Sequence, residues 1–337
     1  MNRIVVLLLI AVNFFFIFQG SEAAEIDSVT PRKIQLENSL TEINRIFNAR
    51  LAEGIEEANA RQSDIEGMAP EEFCDEEQLY TELRKALFQS FMASWGLKGF
   101  ELDKQLRELL ADRSYALALN DSIYRDIDYL EGFSLKLKEL SDVVNINGHL
   151  VGLDKLGHMF SEGWHYFAMT SDDNQSLLQA MAWGKEQETG KYGYATTGIF
   201  SFADLVANFH GWRFWNSVLG KNDDPLSGFF ANLVASPYVS CNIQLVASIR
   251  YRKIVRAWES DKPFDLSGYL DGMWDEGNNC NSYADTTIEA KVTSRIRDVD
   301  PQYSCPAAPQ YCEEARKRYG SYAKYLIHPS CLTVGVK

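Results

Sequence analysis

Four polar residues at helical spacing, Asp154, His158, Glu162 and His165, carry the strongest chemical signal in the sequence. They lie within Leu153 to Phe167, Leu-Asp-Lys-Leu-Gly-His-Met-Phe-Ser-Glu-Gly-Trp-His-Tyr-Phe. Wound as an α-helix at about 100° per residue, they fall within an arc of roughly 80°. Leu153, Leu156, Phe160, Trp164 and Phe167 fall on another face. This segment is expected to be a helix with a packing stripe on one side and a column of carboxylates and imidazoles on the other. Charged groups in so aromatic a helix cost free energy unless they are paired, coordinated or wet. His158, Glu162 and His165, at i, i+4 and i+7, can offer nitrogen and oxygen ligands to zinc or another divalent ion. Asp154, one turn before His158, can orient that imidazole. The spacing is not the H-E-x-x-H of zincins. The competing account is a carboxylate that orients a buried histidine for structure alone.

Three further positions invite a chemical reading. Glu186 and Glu188 fall near the end of a helix expected over 177–188, where the macrodipole disfavours negative charge. Such a glutamate is either used or simply solvated. Ser201-x-x-Asp204 reads as a capping box, which gives both residues a structural role. Asn208 shares a helix face with Asp204, Gly211 and Trp215, a combination that suggests close packing around a polar partner.

Together these residues resemble a known pattern. Asp154-Lys155-x-x-His158, then Glu186, then Ser201-x-x-Asp204-Leu205-x-x-Asn208-x-x-Gly211 is similar to the VanZ-like family and to related predicted periplasmic lipoproteins of the YfiM type. The resemblance spans residues 153 to 215. It implies that Asp154, His158, Glu186, Asp204 and Asn208 form the polar core of one helical bundle, in a protein of the cell envelope. VanZ-like proteins are multi-pass membrane proteins, whereas this chain has no second apolar span. It also carries Thr189 where the family often has glutamine, and it lacks the family's arginine before the Ser-x-x-Asp.

The elements that must position these residues read mainly as helices. One is expected over 26–60, with Thr30 as its cap and Pro31 at its first position. Its end frays into an acidic loop over 53–76, broken by Gly54, Gly67 and Pro70. Others are expected over 79–97, 102–119 and 123–140, before a tight turn at Asn147-Gly148. Beyond the polar column, a helix over 177–188 ends at Gly190 and another runs from 201 to about 218. Residues 220–237 read as a loop and helix packed under the site; the alternative, a membrane-touching surface, lacks basic flanks. A further helix is expected over 241–258, carrying Arg250, Arg252, Lys253 and Arg256. The chain then becomes loop-rich, and a late helix lies at 313–326. The expected fold class is all-α: a helical bundle with a disulfide-tied, loop-rich C-terminal region. The expected divisions are a signal peptide at 1–23, an N-terminal helical region at 24–145, a central polar-cluster region at 146–240 and a Cys-rich cap at 241–337.

Arg3, the apolar run from Ile4 to Phe18 and Ser21-Glu22-Ala23 read as a signal peptide expected to be cleaved after Ala23, the alternative being an uncleaved N-terminal anchor. Six cysteines in an exported chain suggest disulfides, with at least two among the five from Cys241 onward, although the sequence leaves the pairing open. No pair has CxxC spacing, which argues against a thioredoxin-like motif and a zinc ribbon. A net charge of -14 gives no electrostatic reason to bind nucleic acid.

Two functional readings follow. In one, an exported envelope-associated protein holds a polar, metal-binding pocket and acts as a hydrolase on a lipid or cell-wall substrate. His158 or Glu186 is then the general base or a ligand, Asp154 orients His158, and Asp204 with Asn208 binds substrate or metal. In the other, the protein is a helical scaffold or binding protein whose polar network fixes helix register.

Overall fold

The computed structural model describes residues 25–63, 74–88, 100–137, 139–190, 193–247 and 252–333. The expected signal peptide lies outside these residues, as do residues 89–97 of the helix expected over 79–97. The fold is mostly helical, but 9% strand makes all-α an overstatement. Helices α1 (Leu40–Ser63), α2 (Glu76–Leu87), α3 (Phe100–Leu109) and the short α4 (Phe133–Leu137) precede the centre of the fold. Strand β1 (Ser114–Tyr115) pairs with β2 (Val143–Ile146), which forms a hairpin with β3 (His149–Gly152). The hairpin leads into α5 (Asp154–Ser171), followed by α6 (Leu177–Thr189), β4 (Ile199–Phe200) and α7 (Phe202–Leu219).

The α5–α7 pair is the centre of the molecule. Nearly every residue of α7 is buried, as expected for a helix without a solvated face. The two helices touch backbone to backbone: a Cβ on Gly163 would lie 2.4 Å from Gly211 Cα, and one on Gly211 would lie 1.8 Å from Met159 O. Only glycine permits that approach. Trp215 Nε1 donates to Phe160 O across the pair at 3.0 Å. Helix α6 closes on a side chain of α5 instead, since a Cβ on Gly184 would fall 1.8 Å from the Tyr166 hydroxyl.

Several expected elements change type or length. Thr30 and Pro31 belong to a short 3-10 turn, Thr30–Lys33, and α1 begins only at Leu40. Gly54 does not end α1. It lets Leu83 of α2 approach closely, with Leu83 Cδ2 2.9 Å from the position of an added Cβ. The stretch 123–140, expected as a helix, is mostly turns, with α4 as its helical part. The expected tight turn at Asn147-Gly148 is present with φ 52° and 87°, the left-handed pair of a two-residue hairpin.

The largest correction is at 241–258. This region is a β-hairpin, β5 (Val239–Ala247) against β6 (Arg252–Ser260), with Cys241 opposite Trp258. Its β-branched content and alternation fit a strand as well as its spacing fits a helix. Tertiary contacts favour the strand: Asn59 of α1 accepts from Trp258 N at 2.8 Å and donates to Trp258 O at 2.9 Å. Residues 220–237 do not pack under the site. They include α8 (Phe229–Leu233), whose large apolar side chains face outward.

After β6 come a loop-rich stretch, β7 (Ser282–Tyr283) paired with β4, and α9 (Thr286–Val299). The expected late helix at 313–326 is divided into α10 (Gln310–Tyr319) and α11 (Ala323–Leu326), and α12 (Pro329–Thr333) follows. Disulfides Cys280–Cys305 and Cys312–Cys331 tie this region, as expected for two pairs from Cys241 onward. The third, Cys74–Cys241, joins the entry to α2 to strand β5. One cluster of buried apolar residues runs from Ile43 through α5 and α7 to Cys331, so it draws on all three regions expected beyond residue 23.

Candidate functional site: a buried lysine, histidine and carboxylate cluster

Local chain geometry brings the site together at the starts of α5 and α7. Strand β3 ends at Gly152, where a side chain would strike Asp154 Oδ1 at 2.2 Å. Asp154 N donates to Ser141 Oγ at 3.1 Å, which fixes the first turn of α5. Ser201 caps α7 by accepting from Asp204 N at 3.3 Å. The cap uses the serine side chain and the aspartate backbone, so the Asp204 carboxylate is free to turn into the helix interface.

There it meets Lys155, whose side chain is fully buried. Lys155 Nζ lies 2.7 Å from Asp154 Oδ2, 2.5 Å from Asp204 Oδ1 and 2.6 Å from Glu276 Oε1. Ser201 Oγ and Asn281 Nδ2 donate to the two oxygens of Glu276 at 3.1 and 2.7 Å. His158 sits beside this group. Its Nδ1 lies 3.1 Å from Asn208 Oδ1, and its Nε2 lies 3.4 Å from Asp204 Oδ2 without a hydrogen bond. The Asn208 oxygen can only accept, so Nδ1 carries a proton and faces it.

Five buried carboxyl groups feel this one lysine: Glu25, Asp154, Glu188, Asp204 and Glu276. The imbalance shows in their affinities for protons. Burial, reinforced by Glu276 and Asp204, holds Glu25 well above the usual carboxylate range. Burial, with Asp204 and Glu25, does the same to Glu188. Burial pushes Asp154 up to about 7 despite Lys155 beside it. Glu276 is raised by burial against the same attraction. Burial alone would raise Asp204 too, but His158 and Lys155 hold it below its ordinary value. Burial opposes the charge on Lys155, yet Asp154, Asp204 and Glu276 keep its affinity for a proton well above normal.

Asp154, His158 and Asp204 each present one ligand atom, and these atoms lie within 4.8 Å of one another. Among the described residues this is the group of three with metal-ligand geometry. It differs from the expected set of His158, Glu162 and His165. Glu162 is buried one turn further along, where its Oε1 accepts from Ser161 at 3.1 Å. His165 is exposed, with its ring 5.5 Å from that of Trp183. It shares the angular position of the column, but it stands about 16 Å along the helix axis from Asp154. It lies beyond the crossing at Gly163.

The structure also separates the two glutamates of α6. Glu186 is exposed and takes no part in the cluster, whereas Glu188 is buried and coupled to it. Asp204 and Asn208 are where a polar helix contact requires them. Lys155, Glu276 and Glu25 are members that residue spacing does not single out. Lys155 stands just outside the polar arc, Glu276 lies in an aperiodic loop, and Glu25 lies beside the expected cleavage site. Lys155 is the one of these that the sequence marks, as a lysine between Leu153 and Leu156 and as part of the Asp154-Lys155-x-x-His158 pattern.

A cleft of about 280 Å³ reaches Glu276 from the surface, between walls that include Tyr124, Tyr283, Tyr303, Asn281 and Arg297. Glu276 therefore belongs both to this cleft and to the lysine cluster. No protein-family model, curated protein or solved structure matches this chain.

Proposed function

We propose that Asp154, His158 and Asp204 form a divalent-metal site and that the protein is an exported hydrolase of the cell envelope, acting on a lipid or cell-wall substrate. The observation that carries the reading is the meeting of two carboxylates and an imidazole oriented by Asn208 at the α5–α7 contact. A histidine whose far nitrogen donates to a fixed oxygen is a typical metal ligand arrangement. The surplus of buried carboxyl groups over cations supplies an electrostatic preference for an added positive charge. A divalent ion there would lower the pKa of a bound water and polarise an ester or phosphoester oxygen. The chain's own residues then have distinct roles. Asn208 orients His158, and Lys155 restrains Asp154 and Asp204. The cleft at Glu276 admits a headgroup or small saccharide unit, while the tyrosines form apolar walls with polar edges.

Three disulfides support an oxidising compartment. Among the described residues no helix is long and apolar enough to cross a membrane. The likeness of residues 153 to 215 to the VanZ-like pattern supports the envelope, and four of its five polar residues join the cluster. The competing reading, a scaffold with a purely structural network, draws on the near-complete burial of Asp154, Lys155, His158 and Asp204.

The test is turnover of ester, phosphodiester and peptidoglycan-fragment reporters by the chain equilibrated with zinc or manganese. The proposal expects a chelator-sensitive activity that His158→Ala abolishes. Absence of metal-dependent turnover across all three reporter classes would leave the scaffold reading in its place.

A further inference from the structure

The segment between α7 and β5 is turned inside out. In α8 and the residue after it, Phe229, Phe230, Leu233 and Val234 are 74%, 79%, 71% and 80% exposed. From Gly228 through Ser236, Asn232 is the one residue that is not exposed. Asn232 is also the polar residue of α8, and it faces the protein. Its Oδ1 accepts from Asp224 N at 3.0 Å and its Nδ2 donates to Asp224 O at 3.1 Å. Asp224 in turn receives two hydrogen bonds from Arg213 of α7, at 2.8 and 2.5 Å. The apolar residues are thus held outward on a foundation anchored to the central helix. A surface helix in water normally shows the reverse polarity.

We propose that this projection is a docking element for a phospholipid bilayer surface. Four side chains standing proud need a soft apolar medium rather than a matching groove, and the acyl boundary of a bilayer supplies one. They present on the order of 500 Å² of apolar surface, below the roughly 800 Å² per partner of a stable protein interface. A second copy of the chain is therefore the poorer occupant. The neighbouring sequence lacks basic flanks, but the fold supplies one. Lys262, beyond β6, donates to Ser236 O at the base of the projection and lies 4.6 Å from the Tyr238 ring. Its ammonium stands at the foot of the projection, on the side from which a lipid headgroup would be met. Asp223 and Asp261 are exposed in the same loops and oppose any preference for anionic lipid. The element is accordingly suited to a zwitterionic surface, with apolar insertion as the source of binding. This inference does not depend on the metal site.

The experiment is co-sedimentation with phosphatidylcholine vesicles, using the chain from Ala24 onward, which contains every described residue and omits the apolar N-terminal run. Wild-type protein is compared with Phe229→Ser/Phe230→Ser/Leu233→Ser and with Phe230→Ser alone, each checked for an unchanged near-ultraviolet circular dichroism spectrum. Wild type should pellet with vesicles, with little change on adding salt or phosphatidylglycerol. The triple variant should lose about tenfold or more in partitioning, and the single variant should fall between them. Failure of the wild type to pellet would overturn the proposal, as would equal pelleting of the variants. So would sedimentation equilibrium that shows a wild-type dimer abolished by the triple substitution, which would make the patch a self-association surface.

Discussion

Lys155 Nζ stands 2.5 Å from Asp204 Oδ1, so one buried ion pair joins the first turn of α5 to the first turn of α7. The same ammonium holds Asp154 and Glu276, which brings three separate parts of the chain to one point. In a low-dielectric interior such an arrangement stands only while its charges remain paired. The cluster is therefore a place where small chemical changes have large effects.

Replacing Lys155 by methionine keeps the length of the side chain and removes the charge. Asp154, Asp204 and Glu276 would then lose their common partner. Urea denaturation at pH 7 should show a loss of about 3–5 kcal/mol, the usual cost of breaking a buried charge pair. The loss should shrink under acidic conditions, where the carboxyl groups take up protons. A change below about 1 kcal/mol at pH 7 would mean that Lys155 is not the keystone of this contact.

The buried glutamates set the direction of the pH dependence. Glu25 and Glu188 have folded-state pKa values well above 4.5, so the native state keeps protons that the unfolded chain gives up. Their effect is absent below the unfolded value, and stability falls as pH rises from there toward the folded values. Asp204 has the opposite sign, since its value is lowered and its contribution is lost only on acidification below the ordinary range. The metal-free chain should melt at a higher temperature at pH 5 than at pH 8. Glu188→Gln, which mimics the protonated acid, should remove part of that decline. Glu186→Gln, at an exposed position, should leave stability within about 0.5 kcal/mol at either pH.

Gly211→Ala tests the helix crossing. Its methyl group would lie 1.8 Å from Met159 O, so α5 and α7 must separate. Overpacking of this kind costs about 1–3 kcal/mol or more. The separation should also weaken any metal binding that needs His158 of α5 and Asp204 of α7 together. A stable variant with full metal affinity would show that the two helices are not held at this contact.

Legibility in the sequence followed the kind of signal involved. Asp154, His158, Asp204 and Asn208 were visible because helical periodicity places them on facing sides of two helices, and Gly211 beside Asn208 announced a close approach. Angular periodicity carries no axial information, however, so His165 shared the wheel position of Asp154 and still fell beyond the crossing. Glu186 and Glu188 differ by about 200° around a helix, yet nothing local says which of them faces inward. Lys155, Glu25 and Glu276 meet through tertiary structure alone, from a helix start, the N-terminal segment and an aperiodic loop. The 241–258 hairpin was hidden for a related reason. Its strands are stabilised by pairing with each other and by Asn59, neither of which spacing within one segment can reveal.

The central claim is that two carboxylates and an imidazole hold one divalent ion between α5 and α7. It is tested most directly by equilibrium dialysis of the chain from Ala24 onward against zinc and manganese, followed by elemental analysis. Wild type should retain one ion per chain, and His158→Ala and Asp204→Asn should each lose it while His165→Ala and Glu186→Gln keep it. No retained ion in the wild type, or full retention in His158→Ala and Asp204→Asn, would contradict the claim and leave the cluster as a structural network.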